Sequence, residues 1–204
     1  MNPMPSLSKM SGKLEGIQAI NTNTATNPFC IKESQKKDDN RICGKCYSVS
    51  MLSTYRKNCQ PAFQRNSDIL ASDAEFVLPR TSGAFVRFHG HGELINEQHF
   101  RNFCAIASDN KHSTFALWTK RVGIVRKNLH HVPDNMILVY SNPKIDNVMS
   151  SPPRGFDRVF NNVSESYDGE ANCTGQKCIW IVTGKQESYY QVHDADSYAQ
   201  YPHV

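Results

Sequence analysis

Short apolar runs alternate along the chain with longer segments in which apolar residues recur at helical spacing. Compact apolar or alternating runs predict strands, and the amphipathic segments predict helices. The predicted strands are residues 16–21, 84–88, 114–119, 136–140, 158–163 and 178–182. The predicted helices are residues 47–59, 62–72, 96–108 and 122–130. Residues 22–41, rich in Thr, Asn, Lys and Asp, predict a long polar loop.

This alternation of strands and helices determines the expected fold class. Strands that alternate with helices of about ten residues favour parallel pairing through crossover helices. The predicted class is α/β, either a partial (β/α) barrel or an open parallel sheet with crossover helices. Residues 1–14 carry little pattern and are predicted to be a flexible N-terminal arm, and residues 15–204 are predicted to form one domain.

Composition and charge restrict location and partners. Apolar residues make up 39% of the 204 residues and charged residues 21%, which is typical of a single globular domain. The net charge is +4 but the basic residues are dispersed, so nucleic acid is an allowed partner without a basic patch to support it. The beginning of the chain lacks the apolar stretch of a secretory signal, and no run approaches the roughly 20 apolar residues of a membrane helix. We therefore expect a cytoplasmic protein with no membrane partner.

The cysteines are the strongest chemical signal. Cys43 and Cys46 frame a Cys-Gly-Lys-Cys turn, and Cys30 precedes them in the polar loop. In a reducing compartment, an odd number of cysteines with close spacing indicates metal binding or catalysis rather than disulfides. Thiolate-rich sites select zinc or iron–sulfur clusters. Zinc requires a fourth ligand, which Cys173 or Cys178 would supply, whereas three cysteines suffice for a [4Fe–4S] cluster with one open iron.

A second group of candidates follows the strand at residues 84–88. Gly90 and Gly92 would let the backbone approach a ligand closely, and Glu93 could accept a hydrogen bond from an amino group. Ligands of parallel α/β folds bind at the carboxyl ends of strands. An ordinary strand-to-helix turn explains the same residues equally well. His89 and His91 are candidate metal ligands or bases, with a polar loop role as the alternative for one of them.

Other polar residues are predicted to lie at the same edge of the sheet. Lys120 and Arg121 end the next strand and could bind an anion, although a solvated cationic turn is the simpler reading. Ser141 follows the strand at residues 136–140. Cys59 and Cys104 lie in helical segments and are predicted to pack in the core.

Several of these motifs resemble a known family. The resemblance is carried by Cys30, Cys43-Gly-Lys-Cys46-Tyr47, Arg87-Phe-His, Gly92-Glu93, the strand from Phe115 to Lys120, and Cys173-Thr-Gly-Gln-Lys-Cys178. Together they resemble the phage gene product 88 family, which is cysteine-rich and uncharacterised. The resemblance extends over roughly residues 12–182 and implies a phage-encoded protein that acts in the host cytoplasm.

The resemblance also implies a cofactor. The family looks related to radical S-adenosylmethionine proteins, in which three cysteines hold a [4Fe–4S] cluster on a TIM-barrel-like partial barrel. In those proteins a Gly-Gly-Glu element after the second strand binds the amino group of S-adenosylmethionine, and Gly90, Gly92 and Glu93 are similar to it. The spacer between Cys30 and Cys43 is longer than the usual C-x3-C-x2-C spacing.

These observations lead to one expected function and two alternatives. The expected protein binds a [4Fe–4S] cluster through Cys30, Cys43 and Cys46, with Cys173 or Cys178 as a candidate fourth ligand. With an open iron it would be a radical S-adenosylmethionine enzyme acting on an unknown substrate. The first alternative is a non-catalytic binding module stabilised by a closed cluster or by zinc, with nucleic acid as a candidate partner. The second is a cysteine-nucleophile enzyme without metal, which needs a Cys–His pair.

Overall fold

An eight-stranded sheet organises the computed structural model, which describes residues 2–10, 15–36, 38–164, 188–192 and 198–201. The strands are β1 Ser8–Lys9, β2 Gln18–Ile20, β3 Phe85–Phe88, β4 Thr114–Thr119, β5 Met136–Ile145, β6 Arg158–Val163, β7 Ser188–Val192 and β8 Tyr198–Tyr201. The helices are α1 Pro28–Ser34, α2 Tyr47–Ser53, α3 Gln60–Ala71, α4 Glu97–Asp109 and α5 Val122–Lys127. Short 3-10 turns occupy Ile42–Lys45, Lys57–Cys59 and Leu129–His131.

The strands lie in the sheet in the order of the sequence. Strands β2 to β7 pair in parallel with their neighbours, and β1 and β8 pair antiparallel at the two edges. Because right-handed crossovers between strands in this order all step in the same direction, they place their helices on the same face. The predicted α/β class is confirmed, in its open-sheet form: among the described strands, β1 and β8 form the two edges and do not pair with each other, so the sheet is not closed into a barrel.

The main core lies between this helical face and the sheet. Alternate residues of β3 and β4 point toward the helices, so the ring of Phe88 stacks on Phe103 of α4 at 4.0 Å and on Phe115 of β4 at 5.0 Å between centroids. Leu70 of α3 and Val125 of α5 belong to the same cluster and are fully buried. Helices α3, α4 and α5 therefore share one apolar layer with the sheet.

The opposite face of the sheet carries a smaller apolar cluster. Phe85, Ala116, Trp118 and Val139 contribute to it from three neighbouring strands. The guanidinium of Arg87 lies over the Trp118 ring, 4.4 Å from its centroid, an arrangement that favours the cation electrostatically. This face therefore combines apolar and cationic groups where the helical face is apolar.

Most predicted elements are confirmed, and the differences have physical reasons. The predicted strands at 114–119 and 158–163 match β4 and β6. The predicted polar loop at 22–41 instead contains α1, which begins after an Asn27 cap with Pro28 at its first position. The predicted helix at 47–59 is broken after α2, because the backbone at Thr54 leaves the helical region. The predicted strand at 178–182 lies outside the described residues.

The N-terminal segment contacts the domain along its described part, residues 2–10. The Ser6 backbone N–H donates to Asn66 Oδ1 of α3 at 2.8 Å, and Pro3 accepts from the Val77 backbone N–H at 2.8 Å. Strand β1 extends the sheet beside β2. The segment predicted to be an arm thus forms hydrogen bonds with two other parts of the chain. Among the described helices, none has both the length and the apolar character needed to cross a membrane.

Candidate metal centre

Cys30 lies in the first turn of α1, and the Asn27 side chain links this helix to the carboxyl edge of the sheet. Asn27 caps the helix, with Oδ1 accepting from the backbone N–H groups of Phe29 at 3.0 Å and Cys30 at 3.3 Å. Its Nδ2 donates to the backbone oxygen of Glu93 at 2.7 Å. Asn27 is 1% exposed. The cap that starts the helix therefore also ties Cys30 to the loop after β3.

Cys43 lies in the 3-10 turn Ile42–Lys45, at the end of a loop that is attached to β5. The Ile145 backbone N–H donates to the Asn40 carbonyl at 2.8 Å, and Arg41 forms an isolated antiparallel bridge with Lys144. These backbone bonds fix the loop to the last two residues of β5, Lys144 and Ile145.

A buried carboxylate holds the same loop against α1. Glu33 accepts from Lys36 and from Arg41, each at 2.5 Å, and is 6% exposed. Burial opposes ionisation of Glu33, but the hydrogen bonds from Lys36 and Arg41 outweigh it and hold the pKa of its carboxyl below the usual value. Glu33 therefore connects the helix of Cys30 to the loop of Cys43.

Cys46 immediately precedes α2, whose first residues reach the loop after β3. The hydroxyl of Tyr47 donates to the Gly90 carbonyl at 2.6 Å. Ser48 Oγ lies 2.8 Å from His91 Nδ1. The segments of Cys30 and Cys46 are thus fixed to the loop after β3, and the loop of Cys43 is fixed to the carboxyl end of β5.

The three sulfurs share one electrostatic environment. Burial raises the pKa of the Cys30 thiol above its usual value, and the negative charge of Glu93 raises it further. Burial likewise raises the pKa of the Cys43 thiol, and the positive charge of Lys120 acts in the opposite direction on both thiols. Cys46 also contributes to the raised pKa of both. Each of these thiols is therefore subject to the charges of Glu93, Lys120 and the other cysteines.

The donor chemistry fits a soft metal, because Cys30, Cys43 and Cys46 are free, half-buried thiols and soft metals prefer thiolates. A closed coordination shell is not formed: among the described residues, no three His, Cys, Asp or Glu side chains are grouped closely enough to hold one metal ion. Cys173 and Cys178, the candidate fourth ligands, lie outside the described residues. The cysteines are therefore collected at one edge without being in ligand geometry.

Glu93 is held in place by the backbone at the ends of two strands. One carboxylate oxygen accepts from the Leu94 backbone N–H at 2.8 Å and from the Thr119 hydroxyl at 2.5 Å, and the other accepts from the Lys120 backbone N–H at 2.9 Å. The side chain is 4% exposed. Its carboxylate therefore links the loop after β3 to the end of β4 through these hydrogen bonds, close to the segment of Cys30.

The two glycines of this loop are required by packing. A Cβ on Gly90 would lie 2.8 Å from Asn21 Oδ1 and 2.9 Å from Met10 Cε. Gly92 has a φ of +106°, and a Cβ there would lie 1.9 Å from Thr22 Oγ1. The loop thus packs directly on the residues that follow β2, which accounts for both glycines within the protein itself.

The two histidines of the loop point to different environments. His89 is buried in the helical core, with ring centroids 5.1 Å from His99 and 5.0 Å from Phe103. Burial lowers the pKa of His89 well below its usual value. Burial, with a smaller effect from neighbouring arginines, lowers the pKa of His91 to about 4. Both rings are neutral at physiological pH, and Ser48 is the hydrogen-bond partner of His91.

Two further cysteines, Cys59 and Cys104, were predicted to pack in the core. Cys104 in α4 is buried, with its sulfur 3.9 Å from the sulfur of Met136. Burial raises the pKa of the Cys104 thiol to about 12. Cys59 is half-buried in the 3-10 turn before α3.

Sequence reasoning missed three residues that build this centre: Asn27, Glu33 and Arg41. The pair Asn27-Pro28 is a recognised helix-start signal and could have revealed α1. No local sequence pattern identifies Glu33 and Arg41, because their structural role depends on contact between α1 and the loop that follows it.

Fold and site together define the class of protein: an α/β protein with an open, sequentially ordered parallel sheet and cysteine-bearing segments anchored at its carboxyl side. The family model "Gene product 88" matches residues 10–200. The chain belongs to this family. Comparison with curated proteins and with solved structures finds no match.

Proposed function

We propose that this protein binds an iron–sulfur cluster, of the [4Fe–4S] type, through Cys30, Cys43 and Cys46. The observation that supports the proposal is the anchoring of the cysteine-bearing segments at the carboxyl side of the sheet, through Asn27 to the Glu93 carbonyl, Asn40 to Ile145, and Tyr47 to the Gly90 carbonyl. These anchors support the proposal in addition to the Cys-Gly-Lys-Cys spacing. Three thiolates at one place are the donor set that iron–sulfur clusters and zinc prefer.

The order of elements supports the finer proposal of radical S-adenosylmethionine chemistry. The cysteines follow the first parallel strand, β2, and the Gly90–Glu93 loop follows the second, β3. In such an enzyme Cys30, Cys43 and Cys46 would hold the cluster and leave one iron open to S-adenosylmethionine; once reduced by an external electron donor, the cluster would supply one-electron reduction of that cofactor. Glu93 is adjacent to the proposed cluster and retains acceptor capacity beyond its three hydrogen bonds.

One observation favours a second candidate, a metal-stabilised binding module without catalysis. Gly90, Gly92 and Glu93 are all explained by packing and hydrogen bonds within the protein, with no cofactor needed. In this candidate a fourth thiolate, from Cys173 or Cys178, closes a zinc or iron–sulfur site. Metal binding would then stabilise the fold directly, and nucleic acid would be the first partner to test.

The deciding experiment is metal analysis of protein purified without oxygen. The proposal expects about four irons per chain, as a [4Fe–4S] cluster requires, with a visible absorption band. An EPR signal that changes on adding S-adenosylmethionine supports the radical enzyme, and iron without such a change supports a closed cluster. Stoichiometric zinc in a colourless protein would overturn the iron proposal and leave the zinc-stabilised module.

Variants assign the ligands. Cys30→Ser, Cys43→Ser and Cys46→Ser should each lose most of the metal, because each removes one thiolate from the set. Cys59→Ser is the matched control, since Cys59 is equally half-buried but lies outside the cluster. Full metal content in any of the three cluster variants removes that residue from the ligand set.

A further pair of variants separates a role of Glu93 in cofactor binding from its role in the fold. Glu93→Ala is expected to weaken S-adenosylmethionine binding while leaving cluster absorbance intact. Thr119→Val removes one donor to the same carboxylate and keeps the charge, so it controls for local loosening. Equal affinity in Glu93→Ala and wild type would remove Glu93 from the cofactor site.

A further inference from the structure

The N-terminal segment, residues 2–10, is bound to the domain largely through its backbone. Asn66 of α3, which is 1% exposed, contacts both backbone groups of Ser6. Its Oδ1 accepts from the Ser6 N–H at 2.8 Å, and its Nδ2 donates to the Ser6 carbonyl at 3.0 Å. The Val77 N–H donates to the Pro3 carbonyl at 2.8 Å, and strand β1 pairs with β2. The segment is therefore fastened at three points along its length.

The side chain of Met10, at the end of this segment, reaches the loop after β3. A Cβ on Gly90 would lie 2.9 Å from Met10 Cε and 3.2 Å from Met10 Sδ, so the thioether packs directly on the Gly90 backbone. The carbonyl of Gly90 accepts from the hydroxyl of Tyr47, the residue after Cys46. Only Gly90 therefore stands between the N-terminal segment and the residue that anchors the Cys46 segment.

Hydrogen bonds lead from the same segment to the same loop by a second route. Asn66 Nδ2 also donates to the Asn21 carbonyl at 2.9 Å, so one amide joins Ser6 to the residue that follows β2. Asn21 Oδ1 accepts from the His91 N–H at 2.8 Å, and the Thr22 N–H donates to the His91 carbonyl at 3.0 Å. Asn21 is 2% exposed, so loss of either bond would leave a buried polar group unpaired. The two routes meet at neighbouring residues of the loop.

We propose that residues 2–10 form a strap that positions the loop after β3 and, through this loop, the segments of Cys30 and Cys46. The Cys30 segment is included because Asn27 donates to the Glu93 carbonyl of the same loop. Since both routes consist of short, buried contacts, the strap and the loop open together as one cooperative unit. This inference rests on the proposed function for what the loop serves, but the coupling of strap and loop requires no metal.

Native-state hydrogen exchange of the full-length protein, resolved by residue with NMR at increasing urea, measures this opening. The Val77 N–H is the strap reporter, since its acceptor is the Pro3 carbonyl. The His91 N–H is the loop reporter, since its acceptor is Asn21 Oδ1. In wild type the two reporters should share one opening constant and one urea slope. This slope should be smaller than that of global unfolding measured by circular dichroism, because one unit exposes less surface than the whole domain.

Ser6→Pro perturbs the strap without touching the loop. It removes the N–H and the hydroxyl from which Asn66 Oδ1 accepts, and so leaves that buried oxygen unpaired. Exchange at both reporters should accelerate by the same factor, about tenfold or more. Lys9→Ala is the matched control, because it truncates an exposed side chain of the same strap and should leave both rates unchanged.

Met10→Ala tests the coupling in the opposite direction and is measured alone if Ser6→Pro does not fold. It removes the thioether from Gly90 and does not alter the bonds of Ser6 and Pro3. The strap reporter, which lies at the other end of the strap, should accelerate by the same factor as the loop reporter, because coupling between two elements is reciprocal.

Different opening constants for the two reporters in wild type, or a Ser6→Pro variant in which the loop reporter does not accelerate, would overturn the proposal. Urea slopes equal to that of global unfolding would overturn it too, because the strap and the loop would then open only with the rest of the domain.

Metal analysis of the same samples separates this proposal from the proposed function. Bound metal should pass to an excess of EDTA faster from Ser6→Pro than from Lys9→Ala, by up to the factor found for hydrogen exchange. Equal release from the two variants would overturn the role of the strap at the cysteines. A wild type that holds no metal, with exchange of the two reporters still coupled, overturns the proposed function and leaves the coupling of strap and loop standing.

Discussion

The buried ring of His99 makes the stability of this protein sensitive to acid. His99 lies in the first turn of α4, is completely buried, and accepts the Ile95 backbone N–H at Nδ1 over 3.2 Å. Because Nδ1 is an acceptor, the proton of the neutral ring resides on Nε2. Burial lowers the pKa of His99 to about 3. A proton added to Nδ1 would both break this bond and charge the core.

The sign and size of the effect follow from linkage. The pKa of His99 is lowered from 6.5 to about 3 on folding, so below pH 6.5 the unfolded chain binds a proton that the folded chain refuses. The contribution of neutral His99 to the free energy of unfolding is fully present above pH 6.5 and is lost as the pH falls toward 3. At pH 5 the loss from this one residue is about 2 kcal/mol. That is a substantial part of a total stability of roughly 5–15 kcal/mol.

The test is the pH dependence of unfolding in wild type and His99→Asn. Asparagine does not titrate in this range, and its Oδ1 can replace Nδ1 as acceptor for Ile95. The smaller side chain leaves a cavity that lowers stability equally at every pH. Between pH 8 and 5, urea unfolding should therefore show a fall in ΔG that is about 2 kcal/mol smaller in His99→Asn than in wild type. Any acid release of metal affects both proteins alike.

His131→Asn, which changes an exposed ring, is the control for this experiment and should give a curve parallel to that of wild type. Parallel curves for His99→Asn and wild type would refute the reasoning. They would mean that the folded protein accepts a proton at His99 without penalty, and so that water reaches this ring.

Two smaller predictions concern the scaffold of the cysteine site. Gly92→Ala should lower the free energy of unfolding by about 3 kcal/mol or more, since it combines left-handed backbone strain with a contact to Thr22. Gly123→Ala, which has open space in α5, should raise the free energy of unfolding by about 0.5–1 kcal/mol. Calorimetry that ranks the two variants in the opposite order would contradict this. Asn27→Ala should cost about 1 kcal/mol through loss of the α1 cap and should accelerate alkylation of Cys30 more than that of Cys46; equal acceleration at both cysteines would show that the cap does not specifically position Cys30.

The framework of the sheet could be predicted from the sequence because most of its strands have a recognisable local pattern of apolar residues. Strands β4 and β6 consist of residues whose pattern alone separates them from their neighbours. Parallel pairing followed from the alternation of strands with helices. The two-residue strand β1 could not be predicted, because so short a run has no period and depends on the partner β2 for its existence.

The sequence predicted the site only where a residue type by itself indicates the chemistry, as a cysteine does for metal binding. The three cysteines could be recognised from the sequence as candidate ligands, but the residues that position them could not. Helix α1 was hidden in a polar segment because one of its apolar residues, Ile31, is exposed, so the helix lacks a clear amphipathic pattern. The bond between Glu33 and Arg41 and the bond from Asn27 to the Glu93 carbonyl join distant segments, and such pairings have no signature in either segment alone.

The same contacts change which residues can discriminate between the two proposed functions. A glycine at 92 is required by its φ and by Thr22, and a carboxylate at 93 is required by the three donors that converge on it. Both requirements hold whether or not S-adenosylmethionine binds, so the resemblance of this loop to a Gly-Gly-Glu element follows from the scaffold as readily as from a cofactor. The cysteines are different. Cys30, Cys43 and Cys46 are only half-buried, and a free cysteine packs as a small apolar residue for which others could substitute, whereas a soft metal requires the thiolates themselves. The function of this protein must therefore be decided at Cys30, Cys43 and Cys46.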